Sequence, residues 1–300
     1  MAYPDDRAAH ADVMMASQFA EDRRRRQSRF AHNVHEDDAD EADDANWDEV
    51  VDVICTGRGR LVAAVAAAAE RAGLDVMLAD GPVADAGSDP EHLDAVLGIA
   101  DEETVAYLRA LTEDFTPLPA IEADIVTRVV DGPLRPELPK RPIGTFGGAT
   151  LRDWGMACVS SPYGVLYTRV FDPVVSASYA GVDGPVEAAV LDTIDIDPDR
   201  ATESVERWLT SLEGTPDGVP VAAGSFQRLV FDNGLVVGAV VESPTGARTV
   251  RARHGVMLSF GDGVRQSGNG ADLNLRETAQ VALVSRTASR FARLELLTLP

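Results

Sequence analysis

The sequence predicts an α/β fold: a dinucleotide-binding, Rossmann-like domain with an antiparallel β-meander and an inserted mixed α/β region. Two stretches carry this expectation. Residues 51–80 (VDVICTGRGRLVAAVAAAAERAGLDVMLAD) run apolar strand, glycine turn, alanine-rich helix, second strand and then an acid, the order of a βαβ unit. Residues 225–260 alternate apolar and polar positions around two turn signals, Asp232-Asn233-Gly234 and Pro244-Thr245-Gly246, as a meander does.

The elements follow in order. Residues 1–46 read as an acidic tail. Asp12 to Phe30 has helical spacing, and 36–44 (EDDADEADD) repels itself into an extended chain. Residues 47–120 hold the βαβ unit and an amphipathic helix at Asp101 to Phe115. In that helix Val105, Leu108, Leu111 and Phe115 share a face, and acids lead the first turn. Residues 121–224 form the inserted mixed region. Its proline-rich start, within 116–143, reads as loop, 144–171 as a helix and a short apolar segment, and Val186 to Ile194 and Thr202 to Leu212 as two helices. Residues 225–300 hold the meander, an apolar returning strand, and a helix around Leu275 to Leu297.

The glycine turn is the candidate ligand site. In a dinucleotide turn the first glycine allows a tight exit from the strand, the second admits the pyrophosphate, and the third lets helix and strand approach. Phosphate then rests on the free N–H groups at the helix start. Gly57 and Gly59 fill the first two places, and Asp80 stands at about the 20-residue separation of the ribose-binding acid. Val62 replaces the third glycine, and its branched side chain is expected to push the helix off the strand. Arg58 and Arg60 either neutralise phosphate or fill its space.

These residues resemble the opening of the fumarate reductase and 3-ketosteroid dehydrogenase flavoproteins, from Trp47-Asp48 through the glycine turn to the acid. Residues 224–263 (GSFQRLVFDNGLVVGAVVESPTGARTVRARHGVMLSFGDG) resemble that family's meander and returning strand, with Ser259-Phe260-Gly261-Asp262 at its glycine motif. The resemblance implies an FAD/NAD(P)-binding domain. Gly57, Arg58 and Gly59 would meet the FAD pyrophosphate, Asp80 the ribose, and Gly261 would lie near the cofactor. It also implies hydride transfer between flavin and a small or steroid-like substrate, with Tyr163 and Tyr167 candidates for catalysis by residue type alone. The chain departs from the family after Asp80, where 81–98 is short and acidic instead of Gly/Ser/Thr-rich, and it lacks the family's C-terminal return. The same residues therefore also fit a pseudoenzyme without cofactor, working as a protein-binding or assembly partner.

Composition narrows the partners. A formal net charge of −22 disfavours nucleic acid and anionic membrane surfaces. Lys140 is the single lysine, a bias that with abundant Ala, Val and Asp suggests a GC-rich bacterial genome. The longest apolar run, Leu61 to Ala69, is far below the roughly 20 residues that span a bilayer, and a cytoplasmic protein is expected. A protein partner or a second copy would dock through the N-terminal arm or the mixed region. Cys55 and Cys158 form no CxxC. The five histidines show no metal-ligand spacing. Asp195, Asp197, Asp199 and Glu206 match EF-hand spacing, but Arg200 stands where that loop needs glycine, so the aspartates read as caps in a helix–helix connector.

Overall fold

The computed structural model describes residues 47–57, 59–82, 92–115, 118, 124–133, 148–170, 176–181, 184–212, 222–261 and 278–299. The acidic tail, Arg58 and residues 83–91 and 262–277 lie outside them. Trp47–Pro300 form one compact unit.

Among the described residues, thirteen strands make one sheet. They are β1 (Glu49–Val51), β2 (Val53–Gly57), β3 (Val76–Asp80), β4 (Val126–Pro133), β5 (Gly164–Tyr167), β6 (Ala177–Gly181), β7 (Val186–Asp195), β8 (Ser225–Asp232), β9 (Leu235–Ser243), β10 (Gly246–Ala252), β11 (Val256–Ser259), β12 (Thr278–Ser285) and β13 (Phe291–Thr298). Their order is β1-β10-β9-β8-β3-β2-β11-β5-β13-β12-β7-β6-β4, and β4 also pairs with β13. That last pairing closes β4, β6, β7, β12 and β13 into a five-stranded barrel. Among the described residues five α-helices accompany the sheet: α1 (Arg60–Arg71), α2 (Leu93–Leu97), α3 (Glu102–Leu111), α4 (Gly148–Val159) and α5 (Ala201–Leu212).

This corrects the expected Rossmann-like α/β class. Strand exceeds helix, 44% against 30% of the described residues, and the sheet ends in a closed barrel. The βαβ unit β2-α1-β3 does form, with β2 and β3 parallel, but as a local motif in a mostly antiparallel sheet. Two misread segments explain the difference. Val186 to Ile194 is strand β7, whose residues pair with β12 on one side and β6 on the other. Leu275 to Leu297 contains no described helix; it holds β12 and β13 joined by a turn in which Ala288 has φ 65°. All eight residues of β13 are buried, Arg293 and Glu295 among them, so its polar positions do not mark a solvent face in the sequence. The stretch expected as proline-rich loop contains β4.

Elsewhere the local chemistry works as read. Asp101 caps α3, its carboxylate accepting from the Thr104 amide at 2.9 Å and the Thr104 hydroxyl at 2.8 Å. Asn233 and Gly234, with φ of 48° and 78°, make the tight turn between β8 and β9. Side chains alternate between two cores, as period-two strands require. Ile54 of β2 joins one core, while Val53 and Cys55 join the other. Leu297 and Phe291 of β13 face the first, and Ala292, Leu294 and Leu296 the second.

Helix α1 lies over the second core. Its alanines let it settle on β2, β3 and β11, and it also meets α5 and β7. Val62 is 6% exposed inside this core. Val62, expected to push α1 off the strand, is instead buried in the core beneath α1, which packs on β2, β3 and β11. Among the described residues, no helix is long and apolar enough to cross a membrane.

Candidate functional site

Three parallel strands end at one level beneath the start of α1. Gly57 of β2 stands in register with Asp80 of β3 and with Ser259 of β11. The Asp80 amide donates to the Gly224 carbonyl at 2.8 Å, which fixes the end of β3 against the entry to β8. The Asp80 side chain is exposed at that edge. The register places Gly57 beside Asp80, and Gly59 stands at the start of α1; Arg58 lies outside the described residues.

The glycines here have backbone reasons to be glycine. Gly57 has φ 131°, and a Cβ on it would stand 2.5 Å from the Ser259 carbonyl oxygen. The Gly81 amide donates to the Gly57 carbonyl at 3.0 Å, and a Cβ on Gly81 would lie 2.6 Å from the Gly57 Cα. A Cβ on Gly261 would collide with the Pro162 carbonyl oxygen. Gly59 turns into the helix with φ 81°. Close strand packing accounts for Gly57, Gly81 and Gly261 before any ligand is invoked.

The helix start is open to an anion in chemical terms. The N-cap residue of α1, Gly59, supplies no side-chain cap, and the first turn carries no acid. The contrast with α3 is direct, since α3 has Glu102 and Glu103 in its first turn and Asp101 as cap.

One cluster escaped the sequence reading. Glu206 of α5 comes within 3.9 Å of the Arg60 guanidinium, and its other oxygen accepts a 2.5 Å hydrogen bond from the Tyr163 hydroxyl. Arg60 is thus drawn towards α5. Tyr163 is 1% exposed, and burial first, then the bond to Glu206 and the nearby charges of Glu206 and Asp124, push its hydroxyl well above the usual phenol range. It stays protonated and acts as a tether. Only chain topology brings these groups together, 43 residues apart for Tyr163 and Glu206, so no local motif announces them.

The barrel holds a second unannounced group. Glu295 is fully buried and accepts from Arg128 at 2.7 and 3.0 Å and from Arg293 at 2.8 Å. Arg293 also donates to the Ala157 carbonyl and lies over the Trp154 ring. A cavity of about 230 Å³ opens near Tyr167, Glu187, Ser285 and Arg286, and its lining does not include Gly57, Asp80 or Gly261.

Asp197 caps the turn at Pro198–Arg200, its carboxylate accepting from the Asp199 amide. The connector runs from strand β7 to α5, so the expected helix–helix setting is corrected, and of the three aspartates Asp197 is the one seen to cap, at the turn that leads into α5. Glu206 lies within α5, bonded to Tyr163.

No family model and no curated protein matches the chain. Among solved structures it is similar to the 3-ketosteroid-delta4-(5alpha)-dehydrogenase from Rhodococcus jostii RHA1 in complex with 4-androstene-3,17-dione. That likeness is 21% identical, covers 71% of this chain and 46% of that one, and has a TM-score of 0.26. It is also similar to the open conformation of a flavocytochrome c3 fumarate reductase, at 15% identity, 72% and 35% coverage and a TM-score of 0.24. The chain thus spans less than half the length of either structure. Scores this low carry no argument about fold or function.

Proposed function

We propose that the chain is a flavoprotein-like protein that binds FAD by its adenosine diphosphate end at the start of α1. The observation that carries this reading is the placement of the exposed Asp80 carboxylate level with Gly57, where α1 begins. The residues fit that half of the cofactor. Uncapped amides and the absence of a first-turn acid suit a pyrophosphate, and an exposed carboxylate at the strand end suits a ribose hydroxyl. In this reading Gly59 and the first amides of α1 hold phosphate and Asp80 orients the ribose. FAD, when bound, supplies hydride acceptance, and an oxidoreductase acting on a small or steroid-like substrate is the activity that goes with it.

A second reading is a scaffold without cofactor, serving as a protein-binding or assembly partner. It is favoured by the Arg60–Glu206 pair, which gives the helix start a carboxylate neighbour without any ligand. The visible spectrum of the purified full chain, followed by thermal unfolding with and without added FAD, decides between them. Flavin absorbance, or a melting temperature that rises with FAD, supports the first reading. A colourless protein whose melting is indifferent to FAD overturns it.

A further inference from the structure

On the face of the sheet that carries the second core, small side chains stand next to one another. Ser285 of β12 is paired with Glu187 of β7 on one side and with Ala292 of β13 on the other, and Leu283 is paired with Ala189 two residues along. Two alanines and a serine on three adjacent strands leave space that larger side chains would fill. The cavity of about 230 Å³ lies there, with Tyr167 of β5 and the turn at 286–289 also in its wall.

Most of its polar groups are already engaged. The Ser285 and Ser289 hydroxyls both donate to the Phe291 carbonyl, at 2.9 and 3.1 Å. The Thr287 hydroxyl donates to Glu187 at 3.3 Å, and Ser178 of β6 donates to the same carboxylate at 2.8 Å. Both bonds fall on Oε1, so that among the described residues Oε2 is left as an acceptor. The Arg286 guanidinium donates to the Pro185 carbonyl at 3.1 Å and stands 5.6 Å from the centre of the Trp154 ring. One carboxylate and one guanidinium in the wall cancel in formal charge.

We propose that this cavity binds a small neutral alcohol, its hydroxyl donating to Glu187 and its one-ring body lying against Ala189, Leu283 and Ala292. The volume sets the size. An apolar cavity of about 150 Å³ holds benzene, so 230 Å³ admits one ring with a short side chain and no fused multi-ring body. The balanced wall favours neither a cation nor an anion, and a carboxylate oxygen beside apolar side chains selects a hydrogen-bond donor. The site lies apart from Gly57 and Asp80 and does not rest on the FAD reading.

The test is ligand-observed NMR titration of the full chain with benzyl alcohol, benzyl methyl ether, toluene, benzylamine and benzoate. Benzyl alcohol should bind with a Kd of about 1 mM, in keeping with its size. The ether, which cannot donate, and toluene should bind about fivefold weaker or less well still. In Glu187→Gln the amide oxygen can still take the Ser178 and Thr287 hydroxyls, while the amide NH2 offers a donor; the preference for alcohol over ether should vanish. Ala189→Leu fills the hollow and should abolish binding of every probe. If that variant does not fold, Ala189→Val should weaken benzyl alcohol about fivefold. Melting of each free variant checks folding. The proposal is overturned by no benzyl alcohol binding up to about 10 mM, by binding that neither Ala189 variant changes, by a wild type that holds the ether as tightly as the alcohol, or by a charged probe that binds about tenfold tighter than the alcohol.

Discussion

Gly57 and Ser259 approach so closely across the parallel pair β2–β11 that a Cβ on the glycine would stand 2.5 Å from the Ser259 carbonyl oxygen. The glycine that looks most like a ligand contact is therefore needed by the sheet. With φ at 131° as well, Gly57→Ala should destabilise the protein by about 3 kcal/mol or more, with or without ligand. Chemical denaturation of the free protein measures this. A Gly57→Ala variant of wild-type stability contradicts it.

Restoring the third glycine of the turn should harm the fold. Val62 is buried in the core between α1 and the sheet, so Val62→Gly removes packed methyls and adds backbone freedom within a helix. The expected cost is about 2–3 kcal/mol, read from a denaturant midpoint. A neutral or stabilising Val62→Gly would mean that the branch does strain the helix.

The buried Glu295 carries the barrel's charge balance. Glu295→Ala leaves Arg128 and Arg293 without the carboxylate that joins them, and should cost about 3–5 kcal/mol. The replacement of all three residues by apolar ones of similar size should cost far less. Melting curves of the single and triple variants make the comparison.

Burial pushes the Cys55 thiol up to about 12 from its ordinary 9.0, with the Glu70 charge adding to the shift. Burial likewise raises the Cys158 thiol. A thiol reagent should therefore label neither cysteine in the folded protein and both after unfolding. The stability consequence follows from the sign of the shift. Below pH 9 both states hold the proton and the contribution is whole; above it the unfolded thiol ionises first, and stability falls as pH climbs towards 12. Urea titrations at successive pH values above 9 should show this decline.

What was legible in the sequence was local. The glycine turn and the alanines of α1, the Asp101 cap, and the Asn233-Gly234 turn each contain their cause within a few residues, and each forms. The barrel was not legible, because β13 is buried on both faces, Arg293 and Glu295 included, and it is held between strands distant in the chain, β4 and β5. Val186 to Ile194 misled for the same reason. The site divided along the same line. The register of Gly57 with Asp80 follows from the strand spacing, whereas the Arg60–Glu206–Tyr163 cluster arises only once α5 packs beside α1.

The central claim is that Asp80 serves a bound adenosine diphosphate group. Titration of the full chain with FAD, comparing wild type with Asp80→Asn, tests it most directly. The side chain is exposed, so the free variant should melt within about 0.5 kcal/mol of wild type. The account predicts one FAD bound per wild-type chain and an affinity about tenfold weaker in Asp80→Asn, the loss of a charge-assisted hydrogen bond. No FAD binding by wild type, or binding that Asp80→Asn leaves unchanged, would contradict it.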